Sequence, residues 1–219
     1  MMQCTIRGLS MRHPNVQLQS DRRATILEAA ERCFARSGFH RASMQEICAE
    51  AGMSPGNLYR YFPSKEALIA GISERNRADA AASFAQVHEA PTFFDGLADL
   101  ARHHLVDRTD VEVGLCAEIM AESRRSPEIA RLYQDIERDI KGRIAAMLRL
   151  GVERGEIRAD LDVEAAATVL MVLGDGMSWR RAVESGFDAE RVLPMILQMV
   201  HCLLSKPDSR AGKPGETSR

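Results

Sequence analysis

The stretch SMQEICAEAGMSPGNLYRYFPSKEAL, residues 43–68, carries the punctuation of two short helices, a tight corner and a third helix start. Ser43 followed by Glu46 is a capping box: the hydroxyl takes the amide three residues on, and the carboxylate reaches back to the amide of Ser43. Met44, Ile47, Cys48 and Ala51 then recur at helical spacing. Gly52 supplies the left-handed residue that ends this helix, with Met53 as the apolar contact after it. Ser54 caps a second helix with Pro55 at its first position, where a missing amide costs nothing. Leu58 and Phe62, four apart, form its buried face, so Gly56, Asn57, Arg60 and Tyr61 are expected to point outward. Pro63 stops it, and Ser64 caps the next helix.

Two helices joined by a short turn containing Gly describe a helix-turn-helix, whose second helix offers its N-terminal residues to base edges in the DNA major groove. The outward residues suit that chemistry. Gly56 lets backbone approach closely, Asn57 and Arg60 can hydrogen-bond to bases, and Tyr59 and Tyr61 can reach phosphates. Lys65 adds a cation beside helix-terminal amides that already favour an anion. An ordinary helical corner with solvated polar residues is the competing reading of the spacing alone.

At these residues the sequence resembles the tetracycline-repressor (TetR/AcrR) family of transcriptional regulators. The resemblance covers residues 22–72: a first helix ending in Gly38-Phe39, Ser43 to Ile47 and Ala51-Gly52, then Ser54, Leu58-Tyr59, Tyr61-Phe62, Ser64-Lys65-Glu66 and Leu68. It implies an all-helical homodimer with an N-terminal three-helix DNA-binding domain and a larger C-terminal domain for ligand binding and dimerisation. By the same resemblance the positions Pro55 to Asn57 approach bases, while Tyr59, Tyr61 and Lys65 hold phosphates. Ser43 and Ser54, the two helix-capping hydroxyls, are expected at the DNA face as well. The family more often has Thr at Ser43, which keeps the hydroxyl. The ligand does not carry over, because such families diverge beyond about residue 75.

Working outward, 219 residues suffice for two domains, and 45% hydrophobic but only 5% aromatic residues, without strand-like alternation, favour an all-α chain. The formal net charge of −2 argues against a nucleic-acid binder, but its distribution does not: residues 1–66 carry a net +3 and the remainder −5. A basic head on an acidic body fits a local DNA footprint. Five cysteines, at 4, 33, 48, 116 and 202, are odd in number and far apart, so neither a disulfide framework nor a zinc spacing is visible. Residues 1–20 lack a continuous apolar segment, so no secretory leader is expected, and the longest apolar run, residues 165–173, is too short to span a bilayer. A soluble, cytoplasmic protein without membrane partners is expected.

Residues 1–20 read as a disordered leader, with a basic arm for the minor groove or a true start at Met11 as alternatives. Residues 21–68 form the DNA-binding domain, 69–205 the body and 206–219 a disordered tail. The first helix is expected from Ser20 or Asp21 to about Ser37, with Arg22 and Arg23 in its first turn, badly placed for the helix dipole. The fourth starts at Ser64 and continues until Pro91 interrupts. The body then reads as four or five further helices, opened by Thr92, Ser126, Asp162 and Asp188 among others, with Gly155 and Gly186 after two of them and Pro194 disturbing the last.

The helix from Asp162 is apolar almost all round, so it must be buried all round, partly on its own body and partly on a second subunit. With the stripe of the last helix it predicts a two-fold four-helix interface through Leu170, Leu173, Gly174, Met177, Val192, Ile196, Met199, Val200 and Leu203. Candidate ligand-pocket residues are Phe94, His104, Cys116, Met120, Met147, Met171 and Trp179, although Met and aromatic residues at helical spacing are more often plain core. Asp175 faces a cationic ligand or water. Adjacent His103 and His104 point in different directions, so no metal site is expected. No nucleophile elbow, phosphate loop, HExxH or paired Cys motif is present, so no enzyme and no cofactor is expected. The reading is a ligand-responsive regulator, most simply a repressor released from a palindromic operator by a small, largely apolar inducer, with a constitutive DNA binder as the alternative.

Overall fold

The computed structural model describes residues 14–206, with side chains from residue 18. Among the described residues the chain forms nine α-helices and no strand: α1 (Pro14–Ser37), α2 (Met44–Glu50), α3 (Pro55–Tyr61), α4 (Lys65–Glu89), α5 (Phe93–Leu105), α6 (Asp110–Ser123), α7 (Pro127–Glu153), α8 (Val163–Val183) and α9 (Ala189–Leu204). The chain divides into two compact units between Ile72 and Ser73, within α4.

The first helix corrects the expected leader. It begins at Pro14, not at Ser20 or Asp21. Proline is tolerated in a first turn, no Gly or Pro follows until Gly38, and Gln and Leu are good helix formers, so nothing stops the helix from extending back. Arg22 and Arg23 therefore sit well inside α1, away from its positive end. Residues 1–13 and 207–219, and with them the minor-groove arm, the Met11 start and most of the tail, lie outside the described residues.

In the first unit the fully buried side chains Ile26, Phe34, Ile47, Leu58, Phe62, Leu68, Ile69 and Ile72 bring apolar positions from all four helices to one core. The turns follow the sequence signals: Gly38, Gly52, Gly155 and Gly186 all have positive φ, from 63° to 83°. α1 is tied to α2 by Arg32 Nε donating to Glu50 Oε1 at 2.8 Å, with Arg36 Nη1 3.4 Å from the other oxygen. The guanidinium of Arg32 holds the Glu50 carboxyl below its ordinary pKa.

In the second unit α8 packs on α5, α6, α7 and α9, and α6 also packs on α7. Phe93 and Leu97 from α5, Ile144, Met147 and Leu148 from α7, Ala166 and Ala167 from α8 and Val200 and Leu204 from α9 share the main core. A smaller cluster gathers Met177, Ala189 and Leu193. Arg181, its side chain 12% exposed, gathers the end of α5, donating to the carbonyls of Leu105, Val106 and Arg108 at 2.7–3.1 Å. A capping box at Thr109 and Glu112 opens α6. Pro194 does not interrupt α9, which runs unbroken through it. No described helix is long and apolar enough to cross a membrane.

Candidate nucleic-acid interface

α2 enters through the expected capping box: Ser43 Oγ accepts from the Glu46 amide at 3.1 Å, and the Ser43 amide donates to Glu46 Oε2 at 2.8 Å. The same hydroxyl lies 3.2 Å from Glu46 Oε2, so Ser43 is engaged within its own helix cap. The corner then closes on itself, Met53 donating its amide to Cys48 O at 3.0 Å and accepting the Cys48 thiol on its own carbonyl at 2.7 Å. Ser54 occupies the cap position of α3 but makes no capping hydrogen bond, contrary to expectation. The amide three residues on, that of Asn57, donates instead to the Ser54 carbonyl at 3.0 Å, and the exposed hydroxyl is left over.

α3 buries Leu58 and, just past its end, Phe62. Pro55, Gly56, Tyr59 and Arg60 are exposed, whereas Asn57 and Tyr61 are half-buried and not simply outward. Asn57 Nδ2 rests 3.9 Å from the Met53 sulfur, and Arg60 stands 5.4 Å over the Tyr61 ring. A Cβ at Gly56 would meet nothing within 4 Å, so the head itself does not require glycine there.

Lys65 departs most from expectation. Its Nζ donates to the carbonyls of Phe39 at 2.6 Å and His40 at 3.2 Å, and sits 4.5 Å over the Phe39 ring. A cation at the first position of α4 is repelled by the helix dipole, and the carbonyls just after α1 offset that cost. It is therefore not a free outward cation. Arg23 stacks 4.4 Å from the Phe62 ring centroid, and Arg41 Nε bonds the Ser37 carbonyl at 2.9 Å.

In the body the proposed ligand residues separate. Met147 is a core residue, 2% exposed, and Phe94 and Met171 pack partly buried against the same cluster. Phe94 lies against His201, ring centroids 4.3 Å apart. Cys116 and Met120 line α6, the Cys116 sulfur 3.6 Å from Arg108 Nη1. Trp179 is 49% exposed on α8 and is not a pocket residue. A shallow cavity of about 40 Å³ is lined by Ser83, Gln86, Gly96, Asp99, Leu100 and His103, none of them proposed from sequence. His104 lies near Phe84, centroids 6.3 Å apart, and its Nε2 is buried without a hydrogen-bond partner. Burial, with His103 and Arg108 nearby, brings its pKa down to about 4.

Sequence reasoning singled out Asp175 of α8 but missed its cluster with Tyr133 and Glu137 of α7. The Tyr133 side chain is hydrogen-bonded to Glu137, and burial followed by the adjacent carboxylates pushes the phenol up. Burial also raises Glu137, helped by Asp175, while partial desolvation alone raises Asp175. Tyr133 and Glu137 are a single helical turn apart and would have been visible as a polar pair on an otherwise apolar face, but Asp175 is 38 residues away.

The expected dimer stripe is rotated. Met177 and Val200, each 3% exposed, belong to the body's own core, and Leu170, Leu173 and Ile196 pack against it. Gly174 and Val192 are half-buried. The apolar side chains left exposed are Val169, Val172, Trp179 and Val183 on α8 and Met195, Met199 and Leu203 on α9, of which only Met199 and Leu203 were expected.

The head and body each match a known family. Residues 26–72 match bacterial regulatory proteins of the tetR family, and residues 100–205 match the C-terminal domain of BetI-type transcriptional repressors. The regulator UidR of Escherichia coli (strain K12) is 35% identical over 158 residues, 71% of this chain and 79% of UidR. The chain belongs to the TetR family. The HTH-type transcriptional repressor AcnR of Corynebacterium efficiens is 27% identical over 85% of this chain and 94% of its own. Among solved structures, Salmonella enterica GusR is 32% identical with a TM-score of 0.74, covering 90% of this chain and 99% of GusR. A Saccharomonospora viridis protein solved in complex with choline is 26% identical, TM-score 0.72, covering 86% of this chain and all of that one. These relatives place the chain among DNA-binding transcriptional regulators.

Proposed function

We propose that the protein is a homodimeric repressor that leaves a palindromic operator when a small inducer binds its body. The observation that carries this is the exposed N-terminal half of α3, held by a capped α2, with a glycine that the head does not need. Pro55, Gly56, Asn57 and Arg60 approach bases, while the Ser54, Tyr59 and Tyr61 hydroxyls reach phosphates. The exposed apolar faces of α8 and α9 support pairing with a second copy, because a contiguous apolar surface of this kind marks an interaction site. Two-fold protein symmetry is mirrored in the operator.

The partly buried Phe94, Met120 and Met171 favour an inducer that is largely apolar. A second reading, an inducer with a cationic centre, is favoured by Tyr133, Glu137 and Asp175: among the described residues neither carboxylate forms an ion pair, and the Saccharomonospora relative holds choline. The test is selection of duplexes from a random pool by the wild type. Recovery of an inverted repeat whose binding falls by roughly 5–150-fold with Asn57→Ala and Arg60→Ala, about 1–3 kcal/mol of lost base discrimination, supports the reading. Failure to enrich any sequence overturns it.

A further inference from the structure

The arginines of the head fall into two groups. Arg32 and Arg36, near the end of α1, share the carboxylate of Glu50 and are neutralised by it. Arg23 and Arg41 are exposed and, among the described residues, form no ion pair. Each is nevertheless restrained by an uncharged partner: the Arg23 guanidinium lies 4.4 Å from the centroid of the Phe62 ring, and Arg41 Nε donates to the Ser37 carbonyl at 2.9 Å. Neither restraint uses up the guanidinium. Stacking occupies the face of the Arg23 plane and leaves the N–H donors at its edge, and Arg41 keeps those of its two terminal nitrogens. Phe62 directly follows α3 and Arg41 stands just before α2, so the two cations flank the helix-turn-helix, one at each end.

We propose that Arg23 and Arg41 are phosphate contacts that hold the DNA backbone at the two ends of the helix-turn-helix. When a recognition helix lies in the major groove, the helix before it crosses the backbone, so a cation leading into α2 meets phosphate. The groove has a phosphate strand along each edge, and Arg23, beside the end of α3, serves the other one. A planar guanidinium meets a phosphate with two parallel N–H donors, and one that is already immobilised loses less freedom in doing so. Arg32 cannot act in this way, because Glu50 already accepts from it. Attraction to phosphates carries no sequence information, so the two arginines add affinity and fix the register of α3 on the duplex without choosing bases.

This rests on α3 being the recognition helix. The test measures full-length protein on two duplexes of equal length, one selected from a random pool by the wild type and one of random sequence, over a series of KCl concentrations. Arg23→Met keeps an apolar stem against the Phe62 ring and removes the charge, and Arg41→Gln removes the charge from the turn before α2. Each is expected to lower the salt slope on both duplexes by roughly 0.9 for every head on the DNA, hence by about 1.8 for a dimer, and to leave the ratio of the two affinities within about twofold. Arg23→Lys and Arg41→Lys return the charge and are expected to restore the slope. Arg32→Gln, which removes a cation already paired, is expected to keep the wild-type slope. The proposal is overturned if either charge-removing variant keeps the wild-type slope, if its loss falls on the selected duplex alone, or if Arg32→Gln lowers the slope equally, which marks a general effect of net charge. Should Arg23→Met not fold by circular dichroism, Arg23→Gln is read in its place. A wild type that selects no sequence refutes the recognition-helix reading, while the slopes on the random duplex still decide the two arginines.

Discussion

Phe93 of α5 lies so close to Gly151 of α7 that a Cβ at 151 would stand 2.8 Å from ring atom Cδ2 and 3.0 Å from Cε2. The ring is fully buried and cannot swing away without moving the main body core. Gly151→Ala should therefore destabilise the protein by about 1–3 kcal/mol, the usual cost of overpacking. Gly142 in the same helix has nothing within 4 Å of its Cβ position, so Gly142→Ala should be neutral or stabilise by up to about 1 kcal/mol. Urea midpoints of the pair check this. Equal midpoints would show that α5 and α7 are not packed as described.

Gly56 separates stability from recognition. It sits inside α3, where glycine costs up to about 1 kcal/mol against alanine, and no neighbour requires it. Gly56→Ala should raise the melting temperature slightly while weakening operator binding, because the added methyl stands where DNA backbone or base approaches. A variant that is stabilised and binds normally would place the contact elsewhere on α3.

The rotated stripe makes dimerisation testable without unfolding the protomer. Val172 is 64% exposed and Met199 62% exposed in the single chain, so glutamate at either position leaves the body core alone. In a dimer that charge would be buried unpaired, at a cost of several kcal/mol. Val172→Glu should sediment as a folded monomer, whereas Met177→Glu, placed in the core, should unfold. A dimeric Val172→Glu would move the interface off α8.

Legibility followed the range of the interaction. Capping boxes and left-handed glycines act within a few residues, so Ser43–Glu46, Gly52 and Gly155 could be read from sequence and stand in the structure. Thr109–Glu112 was equally local but was not singled out. Lys65 depends on carbonyls 25 and 26 residues away, which no spacing rule reaches. α8 misled for the opposite reason: with apolar residues on every face, its periodicity could not tell the Met177 side from the Trp179 side. Pro14 shows that a proline can open a helix as readily as a leader.

His104 gives the body an acid sensitivity of definite sign. Its folded pKa of about 4 lies below the ordinary value of 6.5, so between these limits the unfolded chain binds more protons than the folded one. Stability is then greatest above pH 6.5 and falls as pH drops toward 4, by about 1–3 kcal/mol for this group. Glu137 and Asp175, raised by burial, act in the opposite sense as pH falls. The difference between wild type and His104→Phe isolates the histidine: across that window the wild type should lose more stability. Parallel urea-midpoint profiles would show that the imidazole is hydrated.

Induction is limited by energy rather than by proximity. A ligand releases DNA only as far as it prefers the state that DNA does not, and a coupling of about 1–3 kcal/mol lowers affinity about 5–150-fold. Two heads on one duplex must match half-sites about 34–36 Å apart or a multiple of one turn, so a ligand that favours another spacing has that differential preference. α4 carries the chain from the head unit into the body unit. Trp179, exposed with Val172 and Val183, is assigned to the dimer face, so Trp179→Ala should weaken association before it changes induction. Met120→Trp should instead shift the inducer concentration needed for release, with ligand-free operator binding within about twofold. Operator binding measured against lipophilic compounds and against quaternary amines separates the two inducer chemistries. A response to quaternary amines that disappears in Glu137→Gln and Asp175→Asn assigns the cationic reading, because those substitutions remove the charge at nearly constant shape. A response to lipophilic compounds that survives both assigns the apolar one. If no compound changes operator affinity or the melting temperature of the protein, DNA binding by this chain is constitutive and the body serves pairing alone.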